Sequence, residues 1–272
     1  MKKVVLFIAI ATLAITFTSC KKSTSSPTIV KQWSGIAISA KFETPAPAGR
    51  SETGTADIKL YSDNTVTYSA TINNLTAGDA IVAGHIHFGD VVTNGPVILP
   101  LNPIFTTSGT TSTASGTVTV STTLADTLQN QPIYINFHST GFPGGLVRGQ
   151  MDKVIDFATD VTLSGANEVP AVVTTATGKA LLRLTSDKTL YSKVTVTGLE
   201  STDAILVSHI HTGIAGVNGP VIQLLTTNAG EFGISITHNP TDAVIASLKN
   251  DPVYVNVHST AHGSGLIRGQ VR

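Results

Sequence analysis

Much of the chain alternates apolar with polar residues at a period of two, the pattern of strands with one face on a core. Ala56-Asp57-Ile58-Lys59-Leu60-Tyr61 is one such run, and Thr67 to Ile72 and Lys193 to Val196 are others. Turn-forming residues punctuate them, as at Asp63-Asn64 and Ser186-Asp187-Lys188. Tyr134-Ile135-Asn136-Phe137-His138 and its later counterpart Tyr254 to His258 are expected as central strands. A helical spacing occurs once in each half. Leu124 and Leu128, and Val244 and Leu248, sit four apart in segments that stop before Pro132 and Pro252. In the second, Asn239 is the expected cap and Pro240 the first helical residue.

Internal comparison explains why these elements come in pairs. Gly84-His85-Ile86-His87 returns as Ser208-His209-Ile210-His211, and Asn94-Gly95-Pro96-Val97-Ile98 as Asn218-Gly219-Pro220-Val221-Ile222, both 124 residues later. Pro132 to Thr140 returns as Pro252 to Thr260, and Gly145-Leu146-Val147-Arg148-Gly149-Gln150 as Gly265-Leu266-Ile267-Arg268-Gly269-Gln270, both after 120. Glu43-Thr44-Pro45 matches Glu168-Val169-Pro170. The expected fold is all-β: two tandem antiparallel β-sandwich or Greek-key domains, 31–153 and 154–272, each with one short helix. The linker is short and not Gly/Ser-rich, so the two domains are expected to touch.

The one long apolar run, Val4 to Phe17, follows Lys2 and Lys3 and is short for a spanning helix. With the small residues after it, this reads as a signal peptide over 1–19. Phe17-Thr18-Ser19-Cys20 resembles the lipobox of bacterial lipoproteins, with Phe17 where leucine is usual. Cys20, the only cysteine, is then the lipidation site, and 20–30 the anchor and tether. No intramolecular disulfide is possible. The expected location is the outer membrane, at its periplasmic face or the cell surface. Lys21 and Lys22, in place of an acidic cluster, favour the periplasmic face. Loss of Lys2 and Lys3 lowers 17 basic residues to 15 against 17 acidic, a net charge of −2. Nucleic acid is therefore not an expected partner. Hydrophobic residues at 41% and charged ones at 12% exclude a disordered chain. Aromatic residues are only 6%, with Trp33 the sole tryptophan, which gives little for a sugar platform.

Three blocks, in order, resemble the CHRD domain, the repeat of chordin and of many bacterial secreted proteins. They are Leu163-Ser164-Gly165-Ala166-Asn167-Glu168-Val169-Pro170, the His-Ile-His plus Asn-Gly-Pro-Val block, and the Asn-x-His-Ser-Thr to Arg-Gly-Gln block. Copy one keeps the last two and blurs the first, as Lys41-Phe42-Glu43-Thr44-Pro45. The resemblance implies an extracellular modular binding protein and supplies no catalytic residues. It also implies a likeness to the Cu/Zn superoxide dismutase sandwich.

A His-x-His pair on a strand puts both rings on one face. His85 with His87, and His209 with His211, are such pairs; His138 and His258 lie on another expected strand in each copy. Three histidines suit zinc or copper, or form a hydrogen-bonded structural network. A full dismutase centre needs about six histidines and an aspartate, and copy one holds three histidines. Ser139 and Ser259 neighbour histidines but face the opposite way, so no nucleophile pair is expected. Arg148 and Arg268 are expected to be buried beside Glu43 and Glu168 as supporting ion pairs. All five polar residues of each copy are expected to lie close together. The expected function is a non-catalytic, lipid-anchored binding or scaffold protein for an unknown protein or small ligand. The alternative is a copper- or zinc-binding protein.

Overall fold

In a computed structural model the described residues are 26–101 and 103–272. The expected signal peptide, Cys20 and most of the tether lie outside them. Among the described residues no helix is long and apolar enough to cross a membrane.

The first domain contains β1 (Ile29–Ser39), β2 (Thr53–Tyr61), β3 (Thr65–Asn73), β4 (Ile81–Phe88), β5 (Val97–Leu101), β6 (Ile104–Ser108), β7 (Thr111–Thr119), α1 (Thr122–Asn130), β8 (Ile133–Ser139) and β9 (Val147–Gln150). The second contains β10 (Ile155–Ser164), β11 (Thr177–Thr185), β12 (Leu190–Thr197), β13 (Ile205–Thr212), β14 (Val221–Thr226), β15 (Ile236–His238), α2 (Asp242–Asn250), β16 (Val253–Ser259) and β17 (Ile267–Gln270). Strand order is β5-β4-β8-β9-β1-β2-β3-β7-β6 in one sheet and β14-β13-β16-β17-β10-β11-β12-β15 in the other. Every pairing is antiparallel, as the alternating pattern and short turns predict. The tandem all-β architecture expected from the repeat is what the chain adopts.

Each sheet is two half-sheets joined at one point. A single pair, Ser39 with Arg148, links β1 to β9, and Ser164 with Arg268 links β10 to β17. The sheet curls there, so the halves enclose one core. Ile38, Ile58 and Ile72 from one half pack with Ile86, Ile135 and Phe137 from the other, all at most 1% exposed. Trp33 closes the same core. β8 and β16 are interior strands covered on both faces.

The second helix begins later than the sequence suggests. Thr241, not Asn239, caps α2: its hydroxyl accepts the Val244 N–H, as Ser121 accepts that of Leu124 in α1. Asp242 then sits in the first turn, where the helix dipole favours an acid, and Pro240 precedes the cap. Both helices end before the prolines, with Gln131 and Asp251 as C-caps.

The domains touch through unlike faces. Arg183 on β11 is fully buried and reaches out of its own domain to the backbone oxygen of Glu43, at 2.6 Å. It also pairs with Asp160 at 2.8 Å, and Asp160 accepts the Ala46 N–H at 2.8 Å. Around this pair Val91 and Val92 pack on Ile155 and Leu181, with Phe42 and Tyr191 at the margin. Both valines are 1% exposed and Leu181 8%, so the centre of the contact is packed.

Candidate metal centre

The pleat assembles one polar face per domain. His85 and His87 on β4 lie opposite Asn136 and Tyr134 on β8, and these lie opposite Arg148 and Gln150 on β9. His138 is two residues beyond Asn136 on the same face. The reverse face carries Ile86, Ile135, Phe137 and Val147 into the core. The pattern repeats on β13, β16 and β17.

The three imidazoles converge. His85, His87 and His138 each offer a ligand atom, and these atoms lie within 4.8 Å of one another; His209, His211 and His258 do the same. Ring-centroid separations are 5.6, 4.8 and 6.3 Å in the first domain and 5.6, 4.9 and 6.2 Å in the second. Nitrogens of a tetrahedral zinc or copper set stand roughly 3.3 Å apart, given bonds of about 2.0–2.1 Å. The His85 Nδ1 to His138 Nε2 distance of 2.9 Å is already near that, and the widest pair need close by at most about 1.5 Å.

Backbone carbonyls set the tautomers. His87 Nδ1–H donates to Gly95 O at 3.0 Å and His138 Nδ1–H to Pro143 O at 2.7 Å. Both rings therefore turn a lone pair on Nε2 toward the cluster. His85 Nδ1–H donates to His138 Nε2. His87 Nε2 is buried and has no partner, and the same holds for His211 Nε2. Burial, then the neighbouring imidazoles, hold His85 below the ordinary histidine value and push His209 down to about 4. Burial also lowers His87 and His211, against their carbonyl hydrogen bonds. Neutral imidazole is the form that ligates.

The supporting loops explain two glycines. Gly95 bends so close to the chain that a Cβ would lie 1.7 Å from Phe88 O, and its carbonyl is the one that fixes His87. Gly145 has φ 137°, and a Cβ there would meet the Glu43 carboxylate at 2.9 Å. The turn that presents Pro143 is clamped by Asp79, which accepts from Ser139 Oγ, Thr140 Oγ1 and the Gly141 N–H. Ser139 thus serves the turn, away from its neighbour His138.

The expected ion pairs are replaced by a different arrangement. Among the described residues no salt bridge joins Glu43 to Arg148 or Glu168 to Arg268. Arg148 donates to Thr44 Oγ1, Asn94 Oδ1 and the backbone oxygens of Thr93 and Asp90. Arg268 donates to Asn218 Oδ1 and the backbone oxygens of Ile214 and Val217. Glu43 instead accepts from Asn136, and Glu168 from Asn256. The glutamates are close enough to feel the arginines, yet burial dominates: both are pushed up to about 7, and Arg148 down to about 10. Two carbonyls of the turn after β4 and two side-chain oxygens occupy both terminal nitrogens of the Arg148 guanidinium without a carboxylate, while its Nε is buried with no partner.

Tyr134 and Tyr254 join the two groups. His87 stacks on Tyr134 at 4.9 Å and 9°, and the Arg148 guanidinium lies 3.4 Å from the Tyr134 ring centroid. His211, Tyr254 and Arg268 repeat the sandwich at 4.9 and 3.3 Å. The alternation Tyr134-x-Asn136-x-His138 was the signal for both tyrosines and both asparagines.

No curated protein and no solved structure matches the chain. The family model of the CHRD domain matches twice, over residues 35–151 and 159–271, and each match contains one complete histidine triad with its glutamate, tyrosine and arginine. The chain therefore belongs to the CHRD domain family and carries two copies of the domain in tandem.

Proposed function

We propose that this is a non-catalytic, lipid-anchored extracytoplasmic protein whose two CHRD domains each bind one copper or zinc ion through three histidines. The carrying observation is the buried, partnerless Nε2 of His87 and of His211, each beside two further imidazole nitrogens. An unpaired buried acceptor costs about 1–3 kcal/mol, and an ion at the point where the three rings converge would remove that cost. Three neutral nitrogens without thiolate or carboxylate suit copper or zinc over magnesium or calcium. His85, His138, His209 and His258 are half-buried, so solvent or a small ligand can reach the open side of each site.

Titration of the soluble chain from Lys21 to Arg272 with Cu(II) and with Zn(II) should give two ions per chain with at least one of them, and a raised melting temperature. His87→Ala and His211→Ala should each leave one ion, and the double variant none. Binding that stays at two ions in these variants, or no stoichiometric binding, rules the reading out.

The anchor is supported by Lys2, Lys3, the Val4 to Phe17 run and Cys20 at the end of the lipobox-like stretch. The full-length protein should sediment with membranes after processing, and Cys20→Ser should not. Each acyl methylene contributes about 0.8 kcal/mol, so several chains on one cysteine hold firmly. Membrane retention of Cys20→Ser protein of the same size as the processed parent would exclude lipidation as the anchor.

A further inference from the structure

The contact between the two domains has two different sides, and because the domains are repeats, each side has a second copy elsewhere. The receiving side on the first domain is the segment from Phe42 to Ala46 with the turn holding Val91 and Val92. Its counterpart on the second domain, around Glu168 and Ala171, is covered by none of the described residues. There a cleft of about 260 Å³ is lined by Glu168, Val169, Ala215, Gly216 and Arg268. Glu168 is 6% exposed, yet its Oε1 has no partner, and Ile214 and Val217 stand beside it 58% and 48% exposed. The inserting side on the second domain is Arg183 with Asp160 and Ile155. Its counterpart on the first domain is also free among the described residues. Lys59 occupies on β2 the place of Arg183 on β11, five residues after Gly54 and Gly178 respectively. Asp57 supplies a carboxylate two residues earlier, and Ile29, paired with Tyr61 as Ile155 is with Thr185, is 48% exposed.

We propose that these two free faces dock on each other between copies of the chain: the Lys59 face of one copy enters the Glu168 cleft of the next. The cation on the inserting face meets the buried unpartnered carboxylate oxygen, and Ile29 meets Ile214 and Val217. The contact repeats between chains the one already present within each chain. Its two sides are unlike, so pairing two copies leaves one face of each kind open, and assembly continues head to tail. The apolar seal is thinner than within the chain, since Ala215 and Gly216 replace Val91 and Val92 and Asp57 replaces Leu181. Assembly is therefore reversible and driven by concentration.

Sedimentation velocity of the chain from Lys21 to Arg272 should show an average mass that climbs beyond a dimer as concentration rises. Lys59→Glu and, separately, Ile214→Asp should each abolish the climb, while Lys188→Glu, on an exposed turn away from both faces, should leave it unchanged. This soluble chain has no cysteine, so Ile29→Cys combined with Ala215→Cys gives a clean second readout: oxidation should produce a reducible ladder of linked chains. A monomer at every concentration with no ladder overturns the proposal. So does a species that stops at two copies, or a climb that survives both face variants.

Discussion

Arg268→Ala should lower the stability of the chain by about 3–5 kcal/mol, read as a lower urea midpoint. The guanidinium is 1% exposed and sits on the Tyr254 ring while spanning Asn218 and two backbone oxygens. Removing it orphans the Ile214 and Val217 carbonyls and empties one side of the tyrosine. Charged hydrogen bonds of this kind contribute about 1.5–3 kcal/mol each, so the loss is a large part of a total near 5–15 kcal/mol. Lysine should not rescue, because one ammonium cannot lie flat on a ring and reach three divergent acceptors. The carbonyl account differs from an ion-pair account in a double-mutant cycle. With Glu168→Gln as background, Arg268→Ala should still cost most of its full amount. A loss that vanishes in that background would restore the ion pair as the cause.

Glu43→Gln should flatten the dependence of stability on pH between 5 and 8. In the folded chain burial raises this carboxyl from the ordinary 4.5 to about 7, against the opposing pull of Arg148 and Arg183. The folded state thus holds a proton that the unfolded chain releases at lower pH. The stability tied to that proton is fully present below about 4.5 and is lost as pH rises through about 7. At about 1.4 kcal/mol per pH unit the loss is on the order of 3 kcal/mol by pH 8. The amide variant keeps an acceptor for Asn136 and carries no charge at any pH. Urea unfolding at pH 5 and pH 8 should therefore differ less for the variant than for the parent. An equal pH dependence in both would show that Glu43 is already ionised in the fold at neutral pH.

The sequence was readable wherever a residue's neighbours are set by the pleat or by the repeat. Alternation placed His85 with His87 on one face, and the repeat singled out His138, Glu43 and Arg148 for the same cluster. Tyr134 and Asn136 were equally accessible to that logic, since they alternate with His138. What the pattern could not supply was the backbone. The partners of Arg148 are carbonyls of a turn whose shape no side-chain period encodes, so a carboxylate looked like the natural partner. Arg183 was invisible for another reason. Its counterpart is Lys59, so no repeated motif marked it, and its role exists only through the way one domain sits on the other.

The histidines of each triad come from strands that are neighbours in space but distant along the chain. His85 and His138 are 53 residues apart, and His209 and His258 are 49 apart. Between them the chain leaves the half-sheet, builds an outer part of the opposite one, forms the helix and returns. An ion held by these rings is thus a removable cross-link around that whole excursion. Because the unfolded chain no longer presents the three rings together, such an ion would stabilise the folded domain by mass action, joining strands that a disulfide joins in other proteins. A domain without an internal disulfide would then have durability set by the metal content of its surroundings, gaining it where the ion is plentiful and losing it where chelators compete.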